Sequence, residues 1–204
     1  MKIIRVDPTE KFISLTWMIG SRCNYDCMYC PEDLHDNTSA HPNLEQLKQI
    51  WTNFYEKTKD QNLPYRINMT GGEVTANRSF LPLVEFIKNN FACIEIFVLT
   101  NGSASENYYK KLASLANCIS FSVHSEFFNE QEFFHKVKTV NDIMIRPTKS
   151  VHVNIMDEFW NQDRISLYKQ YLDQLNISYS VNKLFYARQI REYPIKQGVQ
   201  NLDI

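Results

Sequence analysis

Strand-like and helix-like segments alternate about six times along this chain of 204 residues. The predicted strands cover residues 12–19, 65–70, 93–99, 118–124, 150–156 and 177–185. The helices predicted between them cover about 44–57, 78–90, 105–116, 130–140 and 162–175, each long enough to cross over between parallel strands. The pattern therefore predicts an α/β fold with a parallel sheet.

The alternation also predicts how many domains the chain forms. No internal repeat, low-complexity tract or linker interrupts it, and a chain of this length can bury a sizeable core. We therefore expect one domain over residues 1–204, with an irregular tail from about residue 186. Asn43 and Ser105 are predicted to cap the first and third helices, and Pro82 fits the second helix only in its first turn.

Polar residues occupy every second position in several predicted strands, whereas buried parallel strands are usually apolar throughout. These positions are Ser14, Thr16, Arg66, Asn68, Thr70, Ser120, Ser122, His124, His152, Asn154, Ser178, Ser180 and Asn182. A closed eight-stranded barrel would fill its interior with bulky branched side chains. We therefore expect an open, curved sheet whose polar face lines a wet or ligand-filled cavity, although a solvent-facing sheet would alternate in the same way.

Charge and cysteine content limit the function classes. A net charge of −1 gives no general field for attracting nucleic acid or anionic lipid. No apolar stretch approaches the roughly 18 to 20 residues of a membrane span, and the first residues lack the apolar region of a secretory signal. Five cysteines, three of them clustered, do not resemble a disulfide framework, so we expect a cytoplasmic protein.

The clustered cysteines Cys23, Cys27 and Cys30 lie within eight residues, in a predicted loop over 20–42 that follows the first strand. Thiolates this close can converge on one soft metal centre. Four cysteines saturate a cubane iron–sulfur cluster, whereas three leave one iron open to a small molecule. The alternative is a structural zinc site, which needs four ligands and could take the fourth from His35 or His41.

Active sites of parallel α/β folds collect at the carboxyl ends of the strands. The segments predicted at that edge are the cysteine loop, Gly71-Gly72-Glu73, Thr100-Asn101-Gly102, His124-Ser125-Glu126 and Asp157-Glu158. Although far apart in sequence, they would meet in space. Cys93 and Cys118 begin their strands at the opposite edge, so we expect them to be buried and inert.

The segment Cys23-Asn24-Tyr25-Asp26-Cys27-Met28-Tyr29-Cys30 resembles the cluster motif of the radical S-adenosylmethionine (radical SAM) superfamily. Gly71-Gly72-Glu73, about 40 residues later and after the second strand, resembles the second hallmark of that family. The resemblance covers most of the chain and implies a partial (βα)6 barrel, with a [4Fe–4S] cluster and SAM as cofactors. It further implies reductive cleavage of SAM to a 5′-deoxyadenosyl radical that abstracts hydrogen from a substrate.

The resemblance also assigns roles to single residues. Cys23, Cys27 and Cys30 would hold the cluster. The expected cofactor-binding residues are Tyr29, Gly71, Gly72, Glu73, Asn101, Ser122, His124 and Asn154. Glu73 and the glycine turn suit the cationic amine of SAM, small polar groups suit its ribose, and the ring of Tyr29 suits its adenine.

Structural alternatives stay open for several of these residues. Glu73 could be an acid favoured by the dipole at a helix start, and Ser122 and His124 could be satisfied polar residues of the fold. A structural role is favoured for His152, and packing is favoured for the pairs 127–128 and 133–134. Many family members carry a GxIxGxxE-like pattern on strand five, and its glycines are missing from residues 151–156 of this chain.

The resemblance implies an external electron donor such as flavodoxin or ferredoxin. It leaves the substrate open between a small molecule, a nucleotide and a peptide, with a glycyl-radical activase as a further option and a zinc-stabilised binding module as the non-enzyme alternative. No cysteine follows Cys118, which disfavours a peptide-modifying enzyme with auxiliary clusters, and the neutral charge disfavours duplex nucleic acid. Because radical chemistry needs a dry site, we expect the cysteine loop, a homodimer or a macromolecular partner to cover the barrel mouth.

Overall fold

A computed structural model describes residues 12–31, 36–145 and 147–184 of the chain. Its strands are β1 (Ile13–Met18), β2 (Tyr65–Thr70), β3 (Ile94–Thr100), β4 (Cys118–Val123), β5 (Ser150–Asp157) and β6 (Ser178–Lys183). They form one sheet in the order β1-β2-β3-β4-β5-β6, and every neighbouring pair is parallel. The predicted tail and the predicted strand end at Phe185 lie outside the described residues.

Among the described residues, one α-helix connects each pair of consecutive strands, with a short 3-10 helix beside it in the first two connections (Lys59–Gln61 and Val74–Ala76). The helices are α1 (Leu44–Thr58), α2 (Phe80–Asn90), α3 (Glu106–Leu115), α4 (Glu130–Ile143) and α5 (Gln162–Gln174). The predicted α/β fold with an open parallel sheet is therefore confirmed, as a partial barrel of six strands with alternating helices. In the part of the chain described above, no helix has the length and apolar character needed to cross a membrane.

The predicted helix signals are present in the structure. Asn43 and Gln46 form a reciprocal capping box, in which each side chain accepts a 3.0 Å hydrogen bond from the backbone N–H of the other residue. Ser105 caps α3 by accepting from the N–H of Tyr108. Pro82 is the third residue of α2, where a missing N–H breaks no hydrogen bond within the helix.

One face of the sheet packs against the helices and forms the core. Ile67, Ile96 and Val153 on this face have no exposed surface. Cys118 is buried at the start of β4, as expected. The expectation of burial is wrong for Cys93, because this residue precedes β3 in a tight turn with φ of +58° and its side chain is exposed.

The other face carries the alternating polar residues, most of which are half-buried or exposed. Hydrogen bonds link them across the strands. Asn154 donates to Ser120 (2.8 Å) and accepts from Ser180 (3.0 Å), and His152 lies 2.9 Å from the hydroxyl of Ser178. The sheet therefore presents a continuous polar ladder from β4 to β6, whereas a ligand bound on this face stays a prediction.

Candidate active site

The cysteine loop is anchored at its base beside the end of β1. The N–H of Cys23 donates to the carbonyl of Asp36 (2.7 Å), and the N–H of Asp36 donates to the carbonyl of Ser21 (3.0 Å). The Asp36 carboxylate also accepts hydrogen bonds from Ser39 and Ser21, which hold its pKa below the usual range. These contacts fix where the loop leaves the sheet edge and where it returns.

The three thiols differ in exposure. Cys27 is buried, whereas Cys23 and Cys30 are half-buried. Burial raises the pKa of Cys23 and that of Cys27 above the ordinary value for a thiol. Across residues 12–31, 36–145 and 147–184, no three His, Cys, Asp or Glu side chains stand close enough together to hold a metal ion.

The chemistry of these residues fits an iron–sulfur cluster. Three thiols in one short loop provide soft ligands and leave one iron without a protein ligand. The backbone N–H of Tyr25 donates to Sγ of Cys23 at 3.4 Å, and the amide of Asn101 lies 3.9 Å from the same sulfur. Hydrogen bonds to ligand sulfurs tune the potential of such clusters, so the donors around Cys23 suit this use.

The two glycines after β2 permit a close backbone contact with the start of the cysteine loop. The N–H of Gly72 donates to the carbonyl of Gly20, and the N–H of Glu73 donates to the carbonyl of Arg22, both at 2.9 Å. A Cβ atom added at Gly71 or at Gly72 would lie 2.3 Å from a backbone oxygen of the facing segment. Gly71 also has φ of +148°, which other residues rarely adopt. The glycine pair thus holds the end of β2 against the cysteine loop.

The carboxylate of Glu73 is buried and accepts hydrogen bonds from residues at the ends of β2 and β3. Its donors are the N–H and hydroxyl of Thr75 (2.8 and 2.7 Å), the hydroxyl of Thr100 (2.8 Å) and the N–H of Asn101 (2.5 Å). Burial raises the pKa of Glu73, and these hydrogen bonds act in the opposite direction. Glu73 therefore connects two strand ends, whereas a contact with the SAM amine stays a prediction.

Asn101 connects the end of β3 to the cysteine loop. Its side-chain amide donates to Oδ1 of Asn24 at 3.0 Å and approaches Cys23, and its own Oδ1 accepts from the N–H of Ser103. The following residue, Gly102, has φ of +75°, and a Cβ there would lie 2.7 Å from the ring of Phe133. The β3 turn therefore places Asn101 beside the first cysteine.

Tyr29 and His124 meet on the other side of the loop. Their rings stack with centroids 5.9 Å apart, and the Tyr29 hydroxyl lies 2.5 Å from Nδ1 of His124. The same nitrogen lies 3.5 Å from Sγ of Cys27. Burial lowers the pKa of His124 to about 4, so its ring is neutral at pH 7.

The structure adds Glu158, to which sequence reasoning assigned no role beyond its place at the sheet edge. Glu158 has no exposed surface, and burial raises its pKa to about 7. Its carboxylate accepts from the Tyr29 hydroxyl (3.1 Å) and from the N–H and hydroxyl of Ser125, whose oxygen in turn accepts from Trp160. A signal existed, because the GxIxGxxE-like pattern ends at Glu158 when its first position is placed on Val151.

Two predicted cofactor residues lie on the polar face and away from the loop contacts. Ser122 is buried on β4, opposite Asn154 in the register of β4 and β5. Asn154 belongs to the ladder with Ser120 and Ser180. The structure therefore gathers the cysteines, the glycine turn, Asn101, Tyr29 and His124, and leaves Ser122 and Asn154 on the neighbouring sheet surface.

The family model of the radical SAM superfamily matches residues 17–178, which run from the last two residues of β1 to the first residue of β6 and include the cysteine loop and the glycine turn. The chain belongs to the radical SAM superfamily. It is therefore an enzyme of a family that uses a [4Fe–4S] cluster and SAM, as the two sequence motifs predicted.

A sequence relative is the GTP 3′,8-cyclase of Haemophilus influenzae (strain PittGG), 29% identical over 139 residues. The match covers 67% of this radical SAM chain but 40% of the cyclase. Among solved structures, Streptococcus suis SuiB aligns with a TM-score of 0.64 at 17% identity, covering 90% of this chain and 43% of SuiB. SuiB bound to S-adenosylmethionine aligns with a TM-score of 0.61 at 16% identity, covering 90% of this chain and 41% of SuiB. At these identities the SuiB alignments show a shared fold.

Proposed function

We propose that this radical SAM chain cleaves SAM at a [4Fe–4S] cluster held by Cys23, Cys27 and Cys30, and that the resulting radical acts on a purine nucleotide. When bound and reduced, the cluster supplies the electron that splits SAM into methionine and a 5′-deoxyadenosyl radical. The observation that carries the proposal is the meeting of the cysteine loop, the glycine turn and Asn101 at one edge of a parallel sheet.

The residues around the loop would orient SAM and exclude water. Gly71 and Gly72 bring the backbone beyond β2 against the loop, where it can meet the amino group of SAM. Glu73 would stabilise this part of the backbone, because its buried carboxylate accepts hydrogen bonds from Thr75 and from the N–H of Asn101. The stacked Tyr29 and His124 rings provide a flat surface for the adenine and cover Cys27 from solvent.

Two observations support a nucleotide as the substrate. The sequence relative described above carries the name GTP 3′,8-cyclase. The polar ladder that includes Ser120, Asn154 and Ser180 offers hydroxyl and amide groups to a ligand rich in hydroxyls and ring nitrogens.

The test is anaerobic reconstitution with iron and sulfide, followed by SAM and dithionite. The expected result is cluster absorbance and the formation of 5′-deoxyadenosine. The rate of 5′-deoxyadenosine formation should increase when GTP is added and should not increase when a non-purine nucleotide such as CTP is added in its place. Mass spectrometry of the nucleotide pool should then show a product derived from the purine nucleotide.

The zinc-stabilised module predicts a different result. Stoichiometric zinc, no cluster absorbance and no 5′-deoxyadenosine would reject the proposed chemistry. Cluster formation with SAM cleavage that no purine nucleotide stimulates would reject the substrate and leave the chemistry in place.

A further inference from the structure

Lys136 on α4 is a buried lysine that lies outside the cysteine loop and the polar face, and it keeps only 5% of its surface exposed. A buried ammonium group is stable only when hydrogen bonds and an opposite charge replace its water. Its Nζ donates to the carbonyls of Gly102 (2.7 Å) and Ala104 (3.2 Å) and to the carboxylate of Glu132 (3.2 Å). These three acceptors match the three donors of an ammonium group.

The two carbonyls belong to the turn that follows β3. Gly102 in this turn has φ of +75°, and the ring of Phe133 on α4 lies so close that an added Cβ would approach it to 2.7 Å. Phe133 and Lys136 are three residues apart and therefore lie on the same face of the helix. α4 thus contacts the turn twice, through an apolar ring and through a charged hydrogen-bond donor.

The same turn carries Asn101 and is also bound from β2. The N–H of Asn101 donates to the carboxylate of Glu73 at 2.5 Å, whereas the carbonyls further along the turn accept from Lys136. Between these two anchors, the side-chain amide of Asn101 lies 3.9 Å from Sγ of Cys23. The position of that amide relative to the sulfur therefore depends on both anchors.

We propose that Lys136 is a positioning residue of the radical SAM site, which holds the turn after β3 so that Asn101 stays beside Cys23. The inference rests on the proposed function, because Cys23 enters it as a cluster ligand. A hydrogen-bond donor near a ligand sulfur stabilises the additional negative charge of a reduced cluster and so raises its reduction potential. Lys136 would affect the cluster through Asn101 and without contacting it.

The contacts of Lys136 differ from those of an ordinary helix lysine. Lys138, two residues later on α4, keeps 48% of its side chain exposed and pairs with Asp142 on the same helix at 2.8 Å. Lys136 instead gives up its water to reach Gly102 and Ala104 in another segment of the chain. Methionine could fill the same space but would remove the donor from both carbonyls.

Hydrogen–deuterium exchange of the metal-free protein tests the first step, the contact with the turn. Lys136→Met should speed exchange of the amides of residues 101–104 at least about tenfold, with the amides of α1 as internal reference, because hydrogen bonds from a charged group are lost. Lys136→Arg keeps the charge and should restore most of the protection. Lys138→Met removes the same charge from an exposed site of the same helix and should exchange like the wild type. Equal exchange in Lys136→Met and wild type would overturn the inference.

The reduction potential of the reconstituted cluster tests the second step and is measured by a redox titration followed by electron paramagnetic resonance. Lys136→Met and Asn101→Ala should each lower the potential, and the double variant should lie no lower than Asn101→Ala alone. A direct effect of the lysine charge, or a structural change elsewhere, would add to the effect of Asn101→Ala. Such an additive shift, or a wild-type potential in Lys136→Met, would overturn the inference.

A second variant covers the case in which Lys136→Met does not fold. Lys136→Gln, which is shorter, uncharged and polar, then takes its place in both tests with the same expected and contradicting outcomes. A wild type that binds no cluster, or that forms no 5′-deoxyadenosine with SAM and dithionite, would reject the proposed function. Hydrogen exchange needs no cluster, so it decides separately whether Lys136 holds the turn.

Discussion

The carboxylate of Glu73 accepts a 2.5 Å hydrogen bond from the backbone N–H of Asn101, which joins the ends of β2 and β3 beneath the cysteine loop. Asn101 in turn donates to Asn24, one residue after the first cysteine. The acid of the glycine turn therefore acts on the loop through the neighbouring strand. Through these hydrogen bonds Glu73 positions Asn101 beside the cysteine loop, a role that does not require contact between Glu73 and SAM.

Replacing Glu73 with alanine should damage both the fold and cofactor binding. The change leaves buried donors of Thr75, Thr100 and Asn101 without an acceptor, and each costs about 1–3 kcal/mol. We expect the free energy of unfolding to fall by about 3 kcal/mol, as measured by urea denaturation, and SAM affinity to fall with it. Glu85→Ala on the exposed side of α2 is the control and should change stability by about 0.5 kcal/mol or less. Unchanged SAM affinity in a folded Glu73→Ala protein would contradict both roles.

Gly72→Ala should separate the glycine turn from the cysteine loop. The new Cβ would lie 2.3 Å from the carbonyl oxygen of Arg22, so the two backbone segments must move apart and lose hydrogen bonds. We expect a loss of about 1–3 kcal/mol in the free energy of unfolding, together with less iron per chain after reconstitution.

Gly20→Ala is the matched control for this steric argument. A Cβ at Gly20 meets the side chain of Pro42 at 3.6 Å, an ordinary van der Waals distance. Iron content and stability should therefore stay close to the wild type. Equal loss in the two variants would show that the contact between the glycine turn and the loop does not decide cluster retention.

The cysteines should divide cleanly between ligands and bystanders. Cys27→Ala removes one of three proposed ligands and should abolish both cluster absorbance and 5′-deoxyadenosine formation. Cys93→Ala should retain both, because Cys93 is exposed in the turn before β3, at the opposite edge of the sheet. Iron and sulfide analysis and the ultraviolet–visible spectrum measure the cluster content of each variant. A Cys27→Ala protein with a full cluster content would show that Cys27 is not a cluster ligand.

Much of the fold follows from local patterns. The periodic apolar residues and the caps at Asn43 and Ser105 placed the helices within a few residues of their observed bounds. The polar alternation predicted an open sheet correctly, because side chains at successive strand positions must point to opposite faces. The cysteine loop follows the first strand and the glycine turn follows the second, so the parallel sheet predicted that both lie at the same edge.

Contacts between distant segments were beyond the sequence. The sequence around Glu73 does not show whether its carboxylate accepts a hydrogen bond from Asn101 or contacts a ligand. The hydrogen bond to Asn101 depends on the register in which β2 and β3 pair. The same holds for Glu158, whose partners Tyr29 and Ser125 come from two other loops. The exposed Cys93 was missed because a left-handed residue before a strand leaves little trace in composition.

Glu158→Gln should change how stability depends on pH. Burial raises the pKa of Glu158 to about 7, whereas an unfolded glutamate titrates near 4.3, so between these values the native state holds a proton that the unfolded chain has lost. The contribution of Glu158 to stability is therefore fully present below about pH 4 and decreases as pH rises to about 7. Glutamine keeps the shape and cannot ionise, so the variant should become more stable relative to wild type as pH rises.

His124 works in the opposite direction and makes the comparison with wild type necessary. Its pKa is lowered to about 4, so the unfolded chain binds the extra proton between about pH 4 and 6.5, and its contribution to stability increases with pH there. The free energy of unfolding is measured by urea denaturation at pH 5, 6, 7 and 8 for wild type and for Glu158→Gln, both free of metal. Subtracting one value from the other at each pH removes the contribution of His124, which both proteins contain. That difference should grow in favour of the variant, by about 1–3 kcal/mol from pH 5 to pH 8. A difference independent of pH would mean that Glu158 is already ionised at pH 5, and that its hydrogen bonds from Ser125 and Tyr29 outweigh its burial.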